Sequence, residues 1–69
     1  MADHTYKKTE IVGTSSTSSD DAIRSALAKA GQTVRNMRWF EVQEIRGAVA
    51  GDAVQQWQVT LRVGFALDD

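Results

Sequence analysis

Cysteine and proline are absent from this 69-residue chain, and histidine occurs once, at His4. Without cysteine there is no disulfide to constrain the unfolded state, and with a single histidine the usual ligand sets of a structural zinc are missing. A cysteine nucleophile is excluded, and none of the serines among residues 15–19 has a histidine close in sequence to act as its base. Charge of one sign is also scarce. The formal net charge of -1 argues against a nucleic-acid module, which would carry a basic face. Apolar runs are only a few residues long, far below the roughly 18 that suggest a membrane span, and the start of the chain has no signal-peptide core. A cytoplasmic protein with neither nucleic acid nor membrane as partner is therefore expected. The same absences bear on stability. A domain of about this size buries only about 60% of the surface its unfolded chain exposes, and without disulfide or metal the remaining source of stability is neighbouring subunits.

With no linker, repeat or proline to divide it, the chain reads as a single domain over 1–69. "TYKKTEIVGTS" holds Tyr6, Thr9, Ile11 and Val12 before Gly13, which suits a first strand. "GTSSTSSDDA" is a polar turn without the spaced glycines and lysine of a phosphate loop. Within it Ser18 and Asp21 approximate a capping box, and Asp20 and Asp21 sit where the helix dipole favours negative charge, so this pair reads as a helix start rather than a general acid and base. Ala22, Ile23, Ala26, Leu27, Ala30, Val34 and Met37 continue at helical intervals, with Asn36 as a left-handed stop. The alanines let such a helix lie close against a sheet.

The rest reads as a long hairpin. Trp57, Val59, Leu61, Val63, Phe65 and Leu67 alternate with Gln56, Gln58, Thr60, Arg62, Gly64 and Ala66, the period of a strand with one covered face and one open face. Gly51 and Asp52 suit a two-residue loop. That loop pairs Phe40 with Val63, Val42 with Leu61, Glu41 with Arg62, Trp39 with Gly64 and, further along, Ile45 with Gln58. Phe40, Val42 and Trp57 then face the helix, while Trp39 lies on the open side beside a residue without a side chain. After Gln43 the alternation slips, which predicts a β-bulge. Asp68 and Asp69 read as a solvated tail. The expected fold class is α+β, a β-α-β-β protomer whose three-stranded antiparallel sheet carries one helix on one face. Trp39 on the bare face suits either a flat ligand or a subunit contact.

Four segments in this order, "EIVGTS", the capped helix, "RWFEVQEIRG" and "WQVTLRVGFALDD", resemble the dodecins, a family of small flavin-binding proteins, over nearly the whole chain. The resemblance implies a hollow homododecamer with flavins bound in stacked pairs between subunits. It implies that Trp39 stacks on the isoalloxazine, that Gln58 hydrogen-bonds the pyrimidine edge of the ring, and that Arg46 reaches the ribityl-phosphate end. FMN is the flavin most in keeping with it, with riboflavin or FAD as alternatives. It assigns no catalytic residue and no metal ligand. Ala66 departs from the basic residue of many bacterial members, so a second, coenzyme-A-like ligand is not expected from it.

On the trial register Gln58 lies six positions along its strand from Gly64, the partner of Trp39, which is roughly 20 Å at about 3.3 Å per residue. One flavin cannot span that within one chain, so the site must be shared between protomers. A store, buffer and photoprotective sink follows, in which the indole quenches excited flavin by giving it an electron. The alternatives are a flavin-dependent oxidoreductase, disfavoured because both faces of the ring would be covered, and a structural shell without ligand.

Overall fold

The computed structural model describes residues 3–67, so the Asp68 and Asp69 tail lies outside the described residues. Four elements follow in order: β1 (Tyr6–Ser15), α1 (Ser19–Ala30), β2 (Met37–Ala50) and β3 (Ala53–Ala66). β3 is central, antiparallel to β1 on one side and to β2 on the other, giving the sheet order β1-β3-β2 with one helix, as expected. Gly51 has φ +66 at the first loop position of the β2–β3 hairpin, a conformation glycine adopts without steric cost.

Helix α1 begins as the serine-rich turn implies. Ser18 is extended and its Oγ accepts from the backbone N–H of Asp21 at 3.0 Å. The reciprocal half of the box takes a detour: the Asp21 carboxylate accepts from Ser15 Oγ at 2.7 Å, and Ser15 Oγ in turn accepts from the backbone N–H groups of Thr17 and Ser18. The serines thus satisfy backbone donors that the start of a helix leaves unpaired. The end of the helix differs from expectation. It stops at Ala30 with Gly31 right-handed, and a tight turn bonds Thr33 and Val34 back to the Ala30 carbonyl. Gly31, Thr33 and Val34 are weak helix formers, so the apolar period outlasts the helix itself. Asn36 is left-handed at φ 63, as a turn into β2 rather than as a helix cap.

The core is thin. Ala22 and Ala26 of the helix meet Val59, Leu61 and Val63 of β3, with Ile11, Ile23, Leu27 and Met37 packed around them. A Cβ on Gly13 would strike the Ala22 carbonyl oxygen and come within 2.8 Å of the Ala26 Cβ, so helix and β1 touch backbone to backbone there. Phe40 and Val42 pair with Val63 and Leu61 and share their side of the sheet, yet they remain 44% and 42% exposed. The expectation that the helix covers them is corrected: α1 packs over β1 and β3, and its 12 residues span only about 18 Å at about 1.5 Å per residue. Trp57, expected in the core, is half-buried on the helix side opposite Ser15 and Gly47. The radius of gyration is 14.3 Å, against about 11 Å for a compact chain of this length, and the extents are 55 × 20 × 13 Å.

Candidate ligand-binding face

Opposite the helix the sheet presents the side chains that alternate with the core. One row runs Lys8–Gly64–Trp39 across β1, β3 and β2, and the next runs Glu10–Arg62–Glu41. Because Gly64 carries no side chain, the indole of Trp39 lies over it: a Cβ there would come within 2.6 Å of indole Cδ2 and closer still to Cε2 and Cζ2. The ring is held at its rim as well. Nε1 donates to Glu41 Oε2 at 3.0 Å, and Tyr6 meets the ring edge-on with centroids 5.2 Å apart. With the inner face of its ring on the backbone, Trp39 is still 38% exposed.

Glu41 is itself held from two sides. Lys8 Nζ lies 3.3 Å from both of its carboxylate oxygens, and Arg62, bound to Glu10 at 3.3 Å, stands between the two glutamates of the row. The indole hydrogen bond first, and Lys8 second, keep the Glu41 carboxyl below the usual carboxylate range. A hydrogen bond to the charged form stabilises that form directly.

The other two candidates lie further along the sheet, and here the trial register is corrected by one residue. A shift between Ala48 and Val49 leaves Gln55 unpaired on β3 and one between Val42 and Glu44 leaves Gln43 unpaired on β2, so in the stretch between them Gln58 faces Arg46 and Ile45 faces Val59. The bulge expected after Gln43 falls at Gln43. Arg46 Nε donates to Gln58 Oε1 at 2.8 Å, and Gln58 Nε2 donates to Gln56 Oε1 at 2.9 Å. The Gln58 amide keeps one N–H and one lone pair beyond these two bonds. Arg46 and Gln58 are therefore brought together, whereas Trp39 stands apart. Six β3 positions separate Gln58 from the Trp39 partner Gly64, still roughly 20 Å within one chain.

Sequence reasoning missed the neighbours of the indole. Glu41, two residues after Trp39 on the same strand face, was legible as a contact. Tyr6 and Lys8 required the β1–β3 register. His4 is exposed, with its ring 6.2 Å from that of Tyr6. Among the described residues no group of three or more His, Cys, Asp or Glu could hold a metal ion, and no helix is long and apolar enough to cross a membrane.

This arrangement has close counterparts. The Dodecin family model matches residues 5–68. The dodecin of Thermus thermophilus is 50% identical over 64 residues, covering 93% of each chain. The structure of dodecin from Streptomyces coelicolor superposes with a TM-score of 0.94 at 46% identity, covering 100% of this chain and 99% of its own. A more distant neighbour, the calcium dodecin of Mycobacterium tuberculosis, described with a calcium-binding site, gives a TM-score of 0.80 at 31% identity over 93% of this chain and 91% of its own. With a family match over nearly its whole length and relatives of this identity, the chain belongs to the dodecin family.

Proposed function

We propose that this protein is a flavin store, buffer and photoprotective sink, binding flavins in stacked pairs between the subunits of a homododecamer. The observation that carries the reading is the indole of Trp39 spread over Gly64 with its outer face open. A flat aromatic platform on a flat sheet fits an isoalloxazine, and stacking on such a platform contributes about 1–3 kcal/mol per ring in nucleobase systems. Gln58 offers a donor and an acceptor for the pyrimidine edge, and Arg46 beside it offers positive charge for a phosphate, which favours a phosphorylated flavin such as FMN over riboflavin and leaves FAD as an alternative. The roughly 20 Å between Trp39 and Gln58 supports a site completed by a second protomer. The exposed Phe40, Val42 and Ile45, uncovered on the helix side, support assembly from another direction.

A bound isoalloxazine excited by light is a strong electron acceptor. Trp39, stacked on it, would supply the electron and so drain the excited state before it reacts with oxygen. Glu41 and Tyr6 hold the donor in place, and the reading is of a cytoplasmic binding protein rather than an enzyme. The experiment saturates wild type, Trp39→Phe and Trp57→Phe with FMN and compares residual flavin emission. Emission should recover substantially in Trp39→Phe alone, because phenylalanine keeps a stacking face but is a far poorer electron donor. Full quenching in Trp39→Phe, or recovery in Trp57→Phe instead, would show the wrong tryptophan and the wrong face.

A further inference from the structure

The open face contains a charged pair that the flavin contacts do not use. Glu41 Oε2 accepts from the Trp39 indole at 3.0 Å while Lys8 Nζ sits 3.3 Å from both Glu41 oxygens, so a chain of contacts runs from β1 to the ring on β2 across the bare Gly64. We infer that Glu41, braced by Lys8, is a positioning residue that locks the indole over Gly64 and so presents its outer face at a fixed angle. The inference rests on Trp39 being the stacking platform.

The physical need is specific. An indole over a glycine has no neighbouring side chain of the row to limit its sliding, and rotation about its two side-chain torsions would swing the ring off the sheet. The edge contact from Tyr6 restrains one rim only. A carboxylate accepting the N–H fixes the ring in its own plane, and the carboxylate would itself be free to turn unless a cation across the sheet held it. Lys8 supplies that cation from β1, while Arg62, the other cation of the neighbouring row, is engaged by Glu10 at 3.3 Å. A platform immobilised before the ligand arrives spares the complex the ordering cost of one side chain.

The test uses the full-length assembled protein with two readouts. In apoprotein labelled with ¹⁵N, the Trp39 indole N–H is assigned by its disappearance in Trp39→Phe, and its hydrogen exchange is measured in wild type, Glu41→Ala, Glu41→Gln and Lys8→Met. FMN and riboflavin are then titrated into each. Glu41→Ala should speed exchange of the Trp39 N–H relative to that of Trp57 and weaken both flavins by about two- to twelve-fold, the loss expected when one side chain must be immobilised on binding. Glu41→Gln, which keeps an acceptor, should recover most of both effects, and Lys8→Met should reproduce part of them. Unchanged Trp39 exchange in Glu41→Ala would overturn the inference, as would unchanged affinity with faster exchange. If wild type binds neither flavin the proposed function fails, while the apoprotein exchange still decides whether Glu41 locks the ring.

Discussion

Gly64→Ala adds one methyl group, and the structure places that methyl inside the indole of Trp39. The new Cβ would lie 2.6 Å from Cδ2 and nearer to Cε2 and Cζ2, and the three nearest atoms all belong to this one side chain. Carbon atoms rest at about 3.5–4.0 Å, so the ring must rise by about 1 Å or more. Nothing in the backbone blocks it, because the ring is already partly exposed and the core side chains Val63 and Leu61 point to the other side of β3. The variant should therefore fold with nearly unchanged stability, since alanine also relieves the conformational cost of a glycine within a strand, about 0.5–1 kcal/mol. Binding is where the damage should appear. Lifting the ring stretches its 3.0 Å bond to Glu41 and moves the stacking plane into the space of the ligand. Displacing a positioned group by about 1 Å costs on the order of 100-fold where geometry controls the outcome. Loss of the stack itself corresponds to about five-fold to 150-fold. The assay is FMN titration by fluorescence, with thermal unfolding and light scattering on the same sample. Wild-type affinity and quenching in Gly64→Ala would refute the placement of the ligand on the indole. Unfolding would refute the claim that the open face is separable from the core.

Gly13→Ala should do the opposite: the clash is with the Ala22 carbonyl oxygen and the Ala26 Cβ, so the helix must lift from β1, and a destabilisation of about 1–3 kcal/mol is expected by denaturant titration. Arg46→Ala should weaken FMN more than riboflavin, by about 1.5–3 kcal/mol if the charge-assisted bond is shielded and less if it is exposed, whereas equal loss by calorimetry would assign Arg46 to assembly. The indole lock should also depend on pH. Glu41 is faced by Trp39 on its own strand, by Lys8 and Glu10 from β1 and by Arg62 from β3, and its carboxyl is lowered chiefly by the indole bond. A lowered folded-state pKa means that the contribution is fully present above the unfolded glutamate value of about 4.3 and is lost as pH falls through the lower folded one. Trp39 N–H exchange, corrected for the intrinsic effect of pH, should stay protected through pH 5 and lose protection only in more acidic solution. Light scattering should show a large symmetric oligomer at micromolar concentration, and a stable folded monomer would contradict the shared site.

The end of the hairpin far from the loop was legible because the pairs Phe40–Val63 and Glu41–Arg62 matched in polarity, and the count from the glycine loop reached them because an extra residue on β3, Gln55, is offset by one on β2, Gln43. Past Gln43 only the slip in alternation was visible. That β3 carries an extra residue of its own at Gln55 depends on backbone twist, which no side-chain pattern encodes, and Gln58 was accordingly set against Ile45 rather than Arg46. The helix was overrun for a related reason. Val34 and Met37 keep the helical period while lying in a turn and at the start of a strand, with Met37 packed against the core. Sidedness was also readable for Phe40 and Val42, but coverage was not, since a 12-residue helix cannot roof strands of 14. The indole lock depends on rotamers of Trp39, Glu41 and Lys8 on two strands, one of which had no register from pattern alone.

The bulge at Gln43 also determines which residues can cooperate at all. Trp39 and Arg46 are seven apart, an odd number, and in an uninterrupted strand they would project from opposite surfaces. One unpaired residue reverses the parity, so that both emerge on the side away from the helix. Strand length between these two side chains therefore acts as a reading frame. Pairing Gln43 into a regular ladder would leave every chemical group of the site in the sequence and still send Arg46 to the wrong surface, as a frameshift leaves the letters and loses the word.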